Sequence, residues 1–166
     1  MSEKQEERMR NSVRTGVSFG LTSAVITSLG LIVGLHSGTH SRMVVLGGLL
    51  SIAVADAFSD ALGIHVSEES KQATDANHVW LSTAVTLLSK FFFALTFAVP
   101  ILLLPLYTAV VVSVVWGISS LAALSYFIAR LQNESPWKSV AEHVLIGIAV
   151  IAITHWVGSW VGGFGD

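Results

Sequence analysis

No charged residue and no histidine interrupts the chain between Phe91 and Ala129. A membrane helix takes roughly 20 apolar residues, so a run of this length is too long for one span and must turn back on itself. Pro100 and Pro105 mark where, because proline lacks the N–H a helix needs and its ring clashes with the preceding turn. Composition points the same way. Of 166 residues, 52% are hydrophobic and 12% are charged, about half the charge of an ordinary soluble domain. The same figures exclude intrinsic disorder. The absence of cysteine removes disulfide frameworks, thiolate metal sites and cysteine nucleophiles. A net charge of -2 gives no reason to expect a nucleic-acid partner.

The expected fold is an all-α membrane protein with five transmembrane helices. The spans read from the sequence are Gly16–Leu35, Met43–Val66, Val79–Leu104, Tyr107–Ala129 and Val140–Trp160. The second is interrupted by Asp56 and Asp60, the third by Lys90. The first is no cleaved signal peptide, since a segment of mixed charge precedes it and the apolar run exceeds an h-region. Residues 1–14 therefore read as a cytoplasmic amphipathic segment lying at the surface, and 15–166 as the five-helix membrane domain. With the N-terminus cytoplasmic, Lys4, Arg8, Arg10, Arg14, Lys71, Arg130 and Lys138 all fall inside, and Arg42 alone falls outside. That bias sets the orientation and places the C-terminus outside. No loop is long enough for a soluble catalytic domain, so no enzyme is expected.

An ionisable residue within a span costs about 3 kcal/mol on insertion scales, which makes each a functional candidate. Asp56 and Asp60 are four apart and share a helix face. At 1.5 Å per residue, Asp56 lies about 15 Å from the inner end of its span and Lys90 about 16 Å from that of its own. The matched depth allows an ion pair. It also leaves one carboxylate in excess, a place for a proton or a hard cation such as Mg, Mn or Fe(II). A purely structural Asp–Lys pair is the plain alternative. At the inner end of the second span, His65, Glu68 and Glu69 lie on neighbouring turns, and Glu142 and His143 open the fifth span. Together they are compatible with a mouth that gathers metal, or equally with a solvated helix end. His36, His40 and His155 stand near the outer side and read as ordinary interfacial residues.

Gly16 with Gly20 and Gly30 with Gly34 form two GxxxG pairs on the first span, and Gly158 with Gly162 another on the last. Such pairs permit close helix contact, and those of the first span suit a dimer interface. Tryptophans 80, 116, 137, 156 and 160 fall mostly near span ends, as an aromatic belt requires.

The chain resembles the vacuolar iron transporter family. Gly20-Leu-Thr-Ser with Gly30-Leu-Ile-Val-Gly34 is similar to the family's first helix. Ala55-Asp-Ala-Phe-Ser-Asp-Ala-Leu-Gly-Ile-His-Val-Ser67 is similar to its second, and the prolines at 100 and 105 to its proline-marked third. Ala129-Arg-Leu, Ser135-Pro-Trp-Lys, Leu145-Ile-Gly and Thr154 to Gly158 resemble its last two helices. The resemblance implies a multi-pass membrane protein, in the plasma membrane if the cell is prokaryotic. It further implies a homodimer in contact with membrane lipid that moves Fe2+ or Mn2+ out of the cytosol in exchange for protons. The path would be lined by helices one and two of both subunits. The metal is cargo, and no permanent cofactor is implied. Three family positions differ. The helix-one aspartate falls at Phe19, the helix-two methionine at Asp60 and the helix-two glutamate at Ile64. The cytosolic metal-binding helices are replaced by a short linker from Ser67 to His78. On this reading Asp56, Asp60, His65, Glu68, Glu69 and Glu142 handle metal, and Lys90 with the two aspartates relays charge. Two other readings stay open: a transporter of the same fold for another substrate using an Asp–Lys proton relay, and a dimeric membrane module that transports nothing.

Overall fold

A computed structural model describes residues 3–71 and 75–164. Residues 1–2, part of the expected surface segment, 72–74, part of the short linker, and 165–166 lie outside the described residues. Every element among the described residues is helical: α1 (Glu3–Thr39), α2 (Arg42–Glu69), α3 (Ala76–Thr96), α4 (Ala98–Leu103), α5 (Leu106–Leu131) and α6 (Pro136–Gly162). Five segments are long and apolar enough to cross a membrane, with α3 and α4 together forming the third.

The distribution of side chains suits a hydrocarbon solvent. Large apolar residues such as Phe58, Leu62, Phe92, Leu103 and Ile153 are exposed, while Ser12, Ser28, Ser82, Thr86, Lys90, Ser113 and Ser125 are buried. Water would penalise so much exposed apolar surface and lipid does not, and the buried Thr86, Lys90 and Ser125 find hydrogen-bond partners inside the protein. The chain is thus an integral, multi-pass membrane protein.

Helix α1 is central. It packs most extensively against α3 and α6 and also touches α2 and α5. Its glycines explain how. A Cβ on Gly16 would lie 2.9 Å from the Ser82 carbonyl oxygen, and one on Gly20 would lie 2.9 Å from that of Thr86. Further along, a Cβ on Gly30 would meet Val150 at 3.1 Å and one on Gly34 the Thr154 carbonyl at 3.4 Å. The closest approach is at Gly158, where an added Cβ would sit 2.1 Å from the Gly34 carbonyl oxygen. So Gly16, Gly20, Gly30 and Gly34, expected at a dimer interface, are filled by helices of the same chain. The first pair seats α3 and the second seats α6. The sequence pattern correctly marks close helix contact, but spacing alone does not name the partner helix.

Residues 3–14 are helical and feed directly into the first span, so α1 runs for 37 residues without a break. The break in the third span falls at Phe97 rather than at a proline. Pro100 cannot donate to the carbonyl of Thr96 four residues earlier, and its ring would clash there, so the helix is interrupted upstream of it. Phe97 N–H bonds to Ala94 instead, at 3.1 Å. Thr96 Oγ1 donates back to the Phe93 carbonyl at 2.7 Å and accepts a hydrogen bond from Trp116 Nε1 at 3.1 Å. That partner accounts for a tryptophan well inside α5. Pro105 stands at the N-cap of α5 as expected. Nearby, Arg42 donates to the Leu104 carbonyl at 2.6 Å, tying the α1–α2 turn to the α4–α5 turn.

Candidate functional site

On α3 the buried residues Val79, Ser82, Thr86, Lys90 and Ala94 recur at helical spacing. They form a largely polar stripe facing the interior. Thr86 bonds back to the Ser82 carbonyl at 2.8 Å and needs no outside partner. Lys90 has no such local option, so its ammonium must be met by other helices. On α2, Ala53, Ala57 and Ala61 are buried and small. They bring the α2 backbone close and leave Asp56 and Asp60 on the adjoining flank, each side chain about one-fifth exposed. Gly20 lets α1 approach at the same level, with Lys90 N within 3.2 Å of where a Cβ would be. That contact puts Ser23 in reach.

The result is one ammonium held by three groups. Lys90 Nζ donates to Asp60 Oδ2 and to Ser23 Oγ, the latter at 2.8 Å. It also lies 2.5 Å from Asp56 Oδ2, an ion pair without the alignment of a hydrogen bond. An ammonium has three donors and no acceptor, so the pocket satisfies it. Lys90 is 1% exposed and is the largest fully buried side chain. The pairing expected from matched depth is present, and to both aspartates rather than one. Sequence reasoning missed Ser23. A serine in a small-residue helix carries no signal until the neighbouring helix is placed. Two carboxylates against one ammonium leave one negative charge uncompensated in a medium where it is costly.

The end of the bundle where α2 stops and α3 begins is arranged differently from an open metal-gathering mouth. Glu68 is 3% exposed. One of its oxygens accepts from Lys71 Nζ at 2.7 Å and the other lies 3.1 Å from His78 Nε2. His78 Nδ1 in turn contacts Ser12 Oγ on α1. The chain Lys71–Glu68–His78–Ser12 thereby fastens α1, α2 and α3 together. Glu68 is spoken for, and its carboxylate does not face solvent. His65 Nδ1 lies 3.0 Å from Thr83 Oγ1 on α3, and its ring stands edge-on to Trp80 at 4.6 Å between centroids. Glu69 is exposed. Glu142 is exposed too, and pairs at 3.9 Å with Lys138 on its own helix. His143 Nδ1 is 2.8 Å from Ser125 Oγ. Among the described residues no three His, Asp or Glu side chains converge to hold an ion within the subunit. Asp56 and Asp60 are the pair that stand together, with Lys90 between them and any cation.

At the opposite end of the bundle the His36 and His40 rings lie 5.2 Å apart with their planes tilted, and His155 Nδ1 is 2.5 Å from Ser37 Oγ. A sequence profile of the VIT family matches residues 60–159, from Asp60 through α3, α4, α5 and most of α6. The chain belongs to the VIT family. VIT proteins are membrane transporters of metal ions, and the match places this chain among them. The matched segment includes Asp60 and Lys90 and stops short of Asp56 and all of α1. Of the resemblance noted in the first two helices, all of the first and residues 55–59 of the second lie outside it, and residues 60–67 lie inside. No curated protein matches the chain.

Proposed function

We infer that this VIT protein is a proton-coupled transporter that moves a divalent metal, Fe2+ or Mn2+, out of the cytosol. The observation that carries the reading is the Lys90 ammonium locked between Asp56, Asp60 and Ser23. In this state Lys90 stands where a cation would stand. An incoming metal takes the carboxylate oxygens, and the ammonium swings to Ser23 or loses a proton. When metal leaves, Lys90 returns. The carboxylates are hard oxygen ligands, which suit Mn2+ and Fe2+ over Cu+. Protons compete for the same oxygens, which couples metal release to proton entry.

Two oxygen donors from one subunit do not complete a coordination shell, and a second copy can supply more. The reading therefore places the homodimer contact on α2. Gly47, Ser51, Ala55, Ser59, Gly63 and Ser67 form an exposed line of small residues at four-residue spacing. A Cβ on Gly47 or on Gly63 would meet nothing. Asp56 and Asp60 border this line. Two copies joined along it bring four carboxylates toward one axis, with the path between the α2 helices. The basic residues Arg10, Arg14, Lys71, Arg130 and Lys138 occupy the loops and helix ends that face the cytosol on this reading.

The runner-up is a transporter of the same fold for another substrate, with Lys90 and the aspartates relaying protons. The saturation of Lys90 by three partners and the phenylalanine at position 19 favour it. Metal flux into proteoliposomes decides between them. Accumulation of Mn2+ or Fe2+ that responds to an imposed pH gradient and is lost in Asp60→Asn supports metal transport. A proton flux that persists with no metal movement supports the runner-up.

A further inference from the structure

A groove of about 540 Å3 runs between the start of α1 and the end of α5. Its walls are apolar, with Met9, Val13 and Val17 on one side and Leu124, Phe127 and Leu131 on the other. Arg10 and Arg14, one helical turn apart, stand along the same groove. Arg14 is the last charged residue before the uncharged run that begins at Thr15, so the groove straddles the level where hydrocarbon gives way to headgroups. Its Nη2 is buried without a hydrogen-bond partner. A guanidinium has five donors in a planar fork that matches phosphate oxygens, and leaving one buried and unpaired is expensive. Arg10 is less available, because it also borders a small polar cavity with Glu6 and Glu7.

We propose that this groove is a binding site for one anionic glycerophospholipid, its phosphate on Arg14 and Arg10 and an acyl chain between α1 and α5. Apolar walls ending in two arginines at the interface match a molecule with a hydrocarbon tail and a negatively charged head. A soluble phosphate has no use for the walls. A zwitterionic lipid brings an ammonium up to two guanidinium groups. Arg130, next to Leu131 at the end of α5, adds positive charge at the same level. The bound lipid would clamp α5 to α1, the helix that seats Lys90 through Gly20 and Ser23. The inference is independent of what the protein transports.

The test is thermal unfolding of the full-length protein in detergent, titrated with phosphatidylglycerol, phosphatidylcholine or glycerol 3-phosphate. Phosphatidylglycerol should raise Tm saturably, and the other two should do little. Arg14→Gln should weaken the phosphatidylglycerol response about fivefold, the worth of one arginine at an anionic surface. Arg10→Gln should weaken it less. Val17→Trp fills the groove without touching charge and should weaken it as well; it keeps the test decisive if Arg14→Gln does not fold. Native mass spectrometry should show one phosphatidylglycerol retained per wild-type chain. The proposal is overturned if phosphatidylcholine stabilises as strongly, or if glycerol 3-phosphate alone reproduces the effect. It is also overturned if Val17→Trp and every foldable Arg14 variant respond like wild type.

Discussion

Asp60 of α2 and Lys90 of α3 meet inside the bundle with the ammonium 1% exposed and the carboxylate side chain 18% exposed. Thirty residues separate them in sequence, and the contact exists because small residues on α1 and α2 bring three helices to one level. Breaking such a pair from one side strands a charge, and removing one partner of a buried ion pair typically costs 3–5 kcal/mol. Lys90→Met should therefore lower Tm more than Lys90→Met combined with Asp60→Asn. Unfolding curves at matched lipid content check this. A double variant no more stable than the single one would show that Lys90 is not held by its charge.

Asp60→Asn keeps the shape of the side chain and removes its charge. It should cut metal flux at least tenfold and abolish metal-dependent stabilisation. Asp56→Asn should do less, because Asp60 makes the aligned hydrogen bond to Lys90 whereas Asp56 only lies in ion-pair reach of it. Metal-induced Tm shifts should also shrink as pH falls, since protons compete for the carboxylates. Equal flux in wild type and Asp60→Asn, at equal incorporation, would remove this carboxylate from the path.

Glycine substitutions should separate two kinds of contact. Gly20→Val and Gly158→Val drive a side chain into carbonyl oxygens of α3 and α1, so both should lose at least the 1–3 kcal/mol typical of overpacking. Gly63→Leu meets nothing within the subunit and should leave its fold intact while weakening self-association. Light scattering in detergent reads the second effect and thermal unfolding the first. A Gly20 variant that folds normally but dissociates would return the dimer contact to α1.

Glu68→Gln should loosen the end of the bundle where α2 meets α3. It keeps the hydrogen-bonding shape but removes the charge between Lys71 and His78, at a cost of about 1–3 kcal/mol for a buried charged acceptor. Hydrogen exchange should rise in the first turns of α3 and the last turns of α2, with metal-dependent stabilisation from the Asp56–Asp60 pair retained. Loss of metal binding without faster exchange would restore Glu68 as a ligand.

The number and order of the membrane helices were legible because hydrocarbon imposes a length and an apolar composition on every span, and both are properties of the chain alone. The depth of Lys90 and Asp56 was legible for a related reason: helical rise is constant, so counting residues measures height. Which residue lies opposite which is another matter. It depends on how each helix is rotated about its axis, and that rotation is decided by packing. Gly16, Gly20, Gly30 and Gly34 look the same whether the helix that fills them belongs to this chain or to a second copy, and only the placement of α3 and α6 assigns them. Glu68 looks like any carboxylate at a helix end until His78 and Lys71 close over it. Ser23 looks like filler until Gly20 brings α3 within reach. Spacing along the chain thus determined the spans and the heights of the charges. The tertiary structure decided the partners, because contact depends on the azimuth of helices that no single helix specifies by itself.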